Sequence, residues 1–340
     1  MKYNIAILMP DNETRKTFIT PAALKAFEKL GNVSINQNTA YEPQSMAQLL
    51  AGCHICVTGW GCPPLDEAVL KHAHDLRLVI HTGGTVADLA TDCLYDKGVR
   101  VISGNEMFAE SVAEGTLAYI LAALRRIPFF NRTVQEGLWK DVDRSNKGIL
   151  DRKVGLIGFG ASPRYLVPML KPFRCEIWVY DPFVDDGILV EHGVRRGASL
   201  EALFEECDIV SNHLPLTSKT KGLIGADLLN RLQPGALFVN TARGATVDEA
   251  ALEAVLQSGQ VHAALDVFVI EPLPGESKLR GLDSVILIPH MAGPTKDRYE
   301  RICINLAEAG ADLLNGKPVD CEVSREYAAG MTRASMSEKR

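Results

Sequence analysis

The chain has 340 residues and a 46% hydrophobic content, room for two domains with buried cores. A formal net charge of −6 speaks against nucleic acid or an anionic membrane as the main partner. No apolar run approaches the roughly 20 residues of a membrane span, and Met1 leads straight into a strand-like run without a signal-peptide pattern. Eight cysteines without framework spacing suit a reducing cytoplasm. Cys53 and Cys56 form a C-x-x-C around His54, with Cys62 nearby. No second ligand pair follows, so a structural role is expected and no metal site.

Apolar runs at 4–9, 33–36, 55–58, 78–81 and 99–102 predict strands. Helices are predicted over 21–30, 45–50, 65–73 and 86–97; Pro21 starts the first and Gly31 follows its end. This alternation predicts a parallel sheet covered on both faces. Two turns then fall at strand C-termini: Thr58-Gly59-Trp60-Gly61 and His81-Thr82-Gly83-Gly84-Thr85. Glycines there let backbone N–H groups approach an anion. Gly83 and Gly84 are carboxylate-binding candidates; Trp60 is either a substrate contact or a residue of a tight turn.

A helix is predicted over 111–126, with Leu117, Ile120, Leu121 and Leu124 at helical spacing. It leaves the first domain for the second. Trp139, on the loop that follows, reads either as an interface anchor or as a packed surface aromatic. Val154-Gly155-Leu156-Ile157-Gly158-Phe159-Gly160 is a strand running into a Gly-rich turn, the start of the dinucleotide fingerprint. Pro163 stands where the third glycine belongs; proline is tolerated in a helix's first turn. The strand over 176–180 delivers Asp181, an acid placed to accept from a ribose 2′-hydroxyl, which favours NAD over NADP.

Further strands are predicted at 209–212, 236–240, 261–267 and 285–288, with helices at 226–232, 248–256 and 295–315. Residues 324–340 are mostly polar and read as a mobile tail. In the second domain three strand ends deliver Arg243, Glu271 and His290. Ligands bind outside the carboxyl ends of strands in open α/β sheets. One cation, one carboxylate and one imidazole are therefore expected to converge on a small anionic substrate. Taken singly, each has a plainer reading, as a helix-start cation, a loop acid or a strand-end histidine.

Several motifs together resemble those of the D-isomer-specific 2-hydroxyacid dehydrogenase family. They are Val239-Asn240-Thr241-Ala242-Arg243-Gly244, Leu265-Asp266-Val267-Phe268 with Glu271-Pro272, and Pro289-His290-Met291-Ala292-Gly293. Ser111-Val112-Ala113-Glu114 and His213-Leu214-Pro215-Leu216-Thr217 add to them. The likeness covers nearly the whole chain. It implies an α/β protein of two Rossmann-like domains: a flavodoxin-like substrate domain and an inserted doubly wound NAD-binding domain. The corresponding boundaries are 1–103 for the substrate domain, 104–294 for the NAD domain, and 295–340 for a returning helix and tail. It further implies a homodimer, with NAD contacts at Gly158, Gly160, Ala161, Ser162, Asp181, His213, Leu214, Pro215, Thr241, Asp266, His290 and Gly293. Asp266 would sit by the nicotinamide carboxamide. Two departures stand out: Pro163, and His81-Thr82-Gly83-Gly84-Thr85 in place of the commoner R-A-G-x-G.

The expected chemistry is interconversion of a small 2-oxo acid and a D-2-hydroxy acid. Arg243 would bridge carboxylate and carbonyl oxygens through its planar fork. His290 would give and take the proton, and Glu271 would orient the imidazole and stabilise its charged form. Two other readings of the same fold are an NADH-responsive binding protein of the corepressor kind and an oxidation of the formate or phosphite type.

Overall fold

The computed structural model describes residues 2–139, 145–333 and 338–339. The chain divides into two compact units, Met1–Phe108 with Pro294–Ser335, and Ala109–Gly293 with Met336–Arg340. The first division falls inside the helix Asn105–Leu124.

The first unit is built on five parallel strands, β1 (Tyr3–Ile7), β2 (Gly31–Ile35), β3 (Ile55–Thr58), β4 (Leu78–His81) and β5 (Arg100–Ser103), in the order β2-β1-β3-β4-β5. Successive side chains point to opposite faces. Ile5, Ile7, Val57 and Ile80 pack one face with Ile302, Leu306 and Leu313 of the helix Arg298–Leu314. Ala6, Leu8, Cys56 and Val79 pack the other. Both faces are buried, so the strands read as unbroken apolar runs. Cys53, Cys56 and Cys62 lie in this second core, where burial pushes the Cys56 thiol well above its ordinary value and that of Cys62 up to about 12.

Several elements differ from expectation. The helices predicted over 65–73 and 86–97 shrink to Glu67–Leu70 and Asp92–Asp96. The side chains of Asp66 and Thr91 accept from the backbone N–H of Val69 and Leu94, and such caps fix a helix start. The helices Glu13–Phe18 and Ile127–Gln135 were not expected. The first is a short one capped by Asn12, and the second starts after Arg126 in the left-handed region. The helix Asn105–Leu124 also corrects a reading. It has the length and composition of a membrane span, with a mean hydropathy of 1.3 over an 18-residue stretch. Its Ala109, Ala113, Thr116, Ile120 and Leu124 are nevertheless buried in the protein, and among the described residues it is the one such helix.

The polar tail is in part ordered. Ser324 caps the helix Arg325–Gly330, and Val323, Ala328 and Met331 join the first unit's core. Thr85 Oγ1 donates to the Thr332 carbonyl, and Asn105 Nδ2 to the Tyr327 hydroxyl. Three apolar residues without a sustained period were too weak a signal to be read as a core-facing segment. Residues 334–337 and 340 lie outside the described residues.

The second unit holds seven parallel strands, β6 (Lys153–Ile157), β7 (Glu176–Tyr180), β8 (Arg195–Arg196), β9 (Ile209–Asn212), β10 (Leu237–Asn240), β11 (His262–Leu265) and, after the short β12 (Ile270–Glu271), β13 (Val285–Leu287). The sheet order is β13-β11-β10-β9-β6-β7-β8, and β12 pairs instead with 338–339. The order reverses at β6, so the crevice beyond the carboxyl ends of β6 and β9 is where a ligand belongs.

Ending the chain at Val323 removes the Ala328 and Met331 contacts with the first unit's core. We expect a loss of about 2–4 kcal/mol, read as a lower melting temperature. An unchanged value would mean that the segment merely lies on the surface.

Candidate active site

Arg243 stands three residues past the end of β10, on a turn held by a buried polar network. Asn212, at the end of β9, donates through Nδ2 to Asn240 Oδ1 and Thr246 Oγ1 at 3.1 and 2.8 Å. Asn240 Nδ2 and Thr246 Oγ1 in turn donate to the Arg243 carbonyl, at 3.2 and 2.7 Å. Thr241 Oγ1 lies 2.9 Å from Thr116 Oγ1. Buried polar groups need such partners, so the network fixes the turn. Gly244 is required next to Arg243, because a Cβ there would come within 2.0 Å of the Phe268 carbonyl carbon. Backbone thus packs on backbone, which brings the Arg243 turn against the segment that leads to Glu271. Burial lowers the guanidinium's pKa, and the charge of Glu271 opposes that.

Glu271 lies on β12. Its Oε2 is 2.8 Å from His290 Nδ1, and its Oε1 accepts from the Phe268 N–H at 3.0 Å. Burial disfavours its charge. The imidazole contact, the Phe268 N–H, and the charges of His290 and Arg243 together outweigh that and hold the carboxyl below its usual range. His290 sits three residues past β13 with φ of 55°, and its side chain is 49% exposed. Its own N–H donates to the Asp266 carbonyl at 2.8 Å. The Asp266 carboxylate accepts from the N–H groups of Met291 (2.7 Å) and Ala292 (3.1 Å). Burial raises Asp266, against the pull of these backbone donors.

The Gly-rich turn follows β6. Gly158 has φ of 89°, and a Cβ would meet the His213 carbonyl at 3.3 Å. Gly160 caps the helix Ala161–Leu170, with open space where a Cβ would stand. Ala161 and Ser162 open that helix. Pro163 is buried in its first turn, where an N–H has no intrahelical partner. Asp181 Oδ2 accepts from the Phe159 N–H at 2.8 Å, and Oδ1 from the Phe183 N–H. The acid is thereby tied to the turn. His213 Nε2 bonds Ser211 Oγ at 2.9 Å, the Leu214 N–H donates to Asn212, and the Pro215 carbonyl accepts from Thr220. Gly293 has free space about it. Open backbone donors at a helix N-terminus suit a pyrophosphate, and the tethered acid suits a ribose. These residues fit a dinucleotide.

Trp60, Gly83 and Gly84 belong to the first unit. A Cβ on Gly83 would lie 2.8 Å from the Trp60 indole and 2.7 Å from His81 Nε2. Trp60 is 46% exposed, and its ring meets Phe18, Phe108 and Tyr299 edge-on at 5.0–6.0 Å. Gly84 faces Asn105 and Phe108. His81 Nδ1 lies 3.0 Å from Thr58 Oγ1, and burial pushes the imidazole down to about 4. Among the described residues no group of acids, histidines and cysteines is arranged to hold a metal.

Asn212, Thr246 and Thr116 went unread in the sequence. Their partners are distant in sequence, and a lone Asn or Thr carries no motif.

This is an α/β fold whose Gly-rich turn is built to receive a dinucleotide. The comparisons agree. Residues 117–292 match the NAD binding domain of the D-isomer specific 2-hydroxyacid dehydrogenases, and the chain belongs to that family, with NAD as its cofactor. It is 34% identical over 254 residues to the D-3-phosphoglycerate dehydrogenase of Mycobacterium tuberculosis, covering 74% of this chain and 48% of that protein. It is 33% identical over 244 residues to the hydroxypyruvate reductase of Thermotoga maritima, covering 71% and 78%. The chain spans about half the length of the phosphoglycerate dehydrogenases it matches. A phosphoglycerate oxidoreductase from Rhizobium etli superposes with a TM-score of 0.80 at 27% identity, covering 95% of this chain and 99% of that one.

The buried His81 makes stability depend on pH. Its ordinary value is 6.5, and the folded value is about 4. The unfolded chain therefore takes up this proton first as pH falls. Stability is fully present above about pH 6.5 and falls toward pH 4, by about 3 kcal/mol from this residue. His81→Gln should flatten the pH dependence of the melting temperature across that window; an equally steep decline in the variant would assign it to other groups.

Proposed function

We propose that this protein reduces a small 2-oxo acid to a D-2-hydroxy acid with NADH, as a homodimer of the cytoplasm. The reading rests above all on the Glu271–His290 bond at Nδ1, which leaves Nε2 as the proton-handling atom, with the charge of the half-buried Arg243 acting on the same carboxylate. The second unit is the NAD-binding domain, and we assign the first as the substrate domain, contributing Trp60, Gly83 and Gly84.

In this mechanism Arg243 binds the substrate carboxylate and polarises the carbonyl oxygen, as a guanidinium fork can. NADH, when bound, would supply the hydride. His290 donates a proton from Nε2 to the developing alkoxide. Glu271 holds the ring through Nδ1 and stabilises the imidazolium before it gives up that proton. Glycines 158 and 160, with Ala161 and Ser162, would receive the pyrophosphate, and Asp181 the adenosine ribose. Thr241, Asp266, Gly293 and the segment from His213 to Pro215 would line the rest of the cofactor site.

Dimer formation is supported by exposed apolar side chains on the second unit, Ile127, Val134, Leu138 and Trp139. The cytoplasmic placing is supported by eight free cysteines. The names of the relatives suggest hydroxypyruvate or a phosphorylated hydroxy acid as substrate. The replacement of the R-A-G-x-G turn leaves the choice within the 2-oxo acids to a direct assay.

Loss of NADH absorbance across glyoxylate, hydroxypyruvate, pyruvate and larger 2-oxo acids tests the reading. NADH binding without turnover on any of them would defeat it. His290→Ala should cost about 10²–10⁴ in kcat with NADH affinity retained; near-normal turnover in this variant would remove His290 from the chemistry. Arg243→Lys should raise KM and lower kcat together, since an ammonium lacks the fork, and normal kinetics would reject the clamp. Asp181→Ala should narrow the preference for NADH over NADPH. An unmoved ratio would place the acid's role in bracing the turn alone.

A further inference from the structure

The sheet of the first unit has a topological switch point of its own. Its order is β2-β1-β3-β4-β5, so the order reverses at β1, beside β3. In a doubly wound sheet a ligand is received beyond the carboxyl ends of the strands at that point. Four aromatic side chains gather there. Phe18 comes from the short helix after β1 and Trp60 from the turn after β3. Phe108 stands near the start of the helix after β5, and Tyr299 near the start of the helix Arg298–Leu314. The Trp60 ring meets the other three edge-on at 5.0–6.0 Å, and Phe18 meets Tyr299 at 4.6 Å. Phe18 is fully buried, Phe108 and Tyr299 are half-buried, and Trp60 is 46% exposed. An isolated exposed tryptophan needs no explanation. Here other rings hold the indole by its edges while part of its surface stays open to solvent.

The turn after β4 lies against the same ring. A Cβ on Gly83 would fall 2.8 Å from the Trp60 indole, so only a glycine allows the contact. Gly83 is buried and Gly84 half-buried, and among the described residues their N–H groups meet no acceptor. Buried backbone donors are rarely left so, and a carboxylate would satisfy them. The turn supplies no positive charge. His81, at its start, is 3% exposed with Nδ1 3.0 Å from Thr58 Oγ1, and burial disfavours its charged form.

We propose that the first unit selects 2-oxo acids with an apolar side chain, branched or aromatic, by laying that side chain on the open surface of Trp60. The proposal rests on the reading of this protein as a 2-oxo acid reductase and deepens it by naming the substrate class. Backbone donors beside an aromatic surface suit a molecule with a carboxylate at one end and hydrocarbon at the other. The ring faces give a phosphate or a hydroxyl no hydrogen-bond partner, so such a group would lose water there without replacement. An apolar side chain gains by leaving water. Hydroxypyruvate and its phosphate ester are therefore the poorer substrates.

Initial rates with NADH across pyruvate, hydroxypyruvate, 3-phosphohydroxypyruvate, 4-methyl-2-oxopentanoate and phenylpyruvate test the proposal. For the better of the last two, kcat/KM should exceed that for hydroxypyruvate and for its phosphate about tenfold or more, the effect of burying even one methylene. Trp60→Ala should cut the ratio of kcat/KM for 4-methyl-2-oxopentanoate over that for pyruvate about tenfold.

Hydroxypyruvate or its phosphate as the best substrate would overturn the proposal and leave the reductase reading standing. So would an unchanged ratio in Trp60→Ala. The parent protein's own ranking decides even where that variant does not fold. If the parent turns over none of these acids, the reductase reading fails. Calorimetric titration of 4-methyl-2-oxopentanoate into the protein with NADH then decides the site. Binding that Trp60→Ala weakens about tenfold is expected, and an absence of binding would overturn the proposal as well.

Discussion

The bond between Glu271 and Nδ1 of His290 is the constraint around which the second unit's loops are arranged. It ties a residue beyond β13 to one on β12, far apart in the chain, at 2.8 Å. It also decides which imidazole nitrogen faces outward. The backbone at His290 is left-handed, with φ of 55°, a conformation that costs a bulky residue about 1–3 kcal/mol. That cost is offset locally: the His290 N–H is bonded to the Asp266 carbonyl, and the next two N–H groups to the Asp266 carboxylate. Hydrogen bonds to a charged group contribute about 1.5–3 kcal/mol each, so the ledger of the loop closes without outside help. Asp266 is thus at once the buried acid expected near the cofactor and the acceptor that shapes the His290 loop.

Strand register explains why the parts meet. Leu237 pairs with His262 and Ala263 with Val285, so β10, β11 and β13 run side by side in parallel. Their carboxyl ends finish close to level, and the segments that follow emerge on one edge of the sheet. The Arg243 turn is then pulled onto the neighbouring segment by the Gly244–Phe268 approach. No single one of these segments makes the site; the sheet's regularity brings them to the same edge.

This also separates what could be read in the sequence from what could not. The strands were legible because burial on both faces leaves an unbroken apolar run. The Arg, Glu and His were legible because each lies in a short motif beside such a run. Helix limits at Asp66 and Thr91 were not, because a cap competes with the apolar pattern at one position and is outvoted when a window is averaged. Asn212 and Thr246 were hidden for another reason. Each is an ordinary polar residue whose partner comes from another strand end, and only the folded register shows that Asn212 supports the Arg243 carbonyl through Asn240 and Thr246. The segment Arg325–Gly330 escaped because its few apolar contacts are spread through a polar stretch. Motifs announce chemistry, whereas support for chemistry is spread among residues with none.

The electrostatics of Arg243 carry the last step. Burial disfavours its charge, and the carboxylate of Glu271 acts on it as a nearby opposite charge. The guanidinium gives Nη1 to the Ala242 carbonyl, and Glu271 gives one oxygen to His290 and the other to the Phe268 N–H. The acid therefore steadies the guanidinium while its own oxygens are directed to the imidazole and the backbone. A fully formed bidentate pair between Arg243 and Glu271 would satisfy the guanidinium internally, and an incoming carboxylate would gain little. A half-buried cation steadied from the side keeps its fork for an anion, and in a partly desolvated setting that attraction is stronger than it would be in water. In the proposed reaction the same acid then serves two ends. It keeps the arginine charged before substrate arrives, and it holds the ring that delivers the proton afterwards.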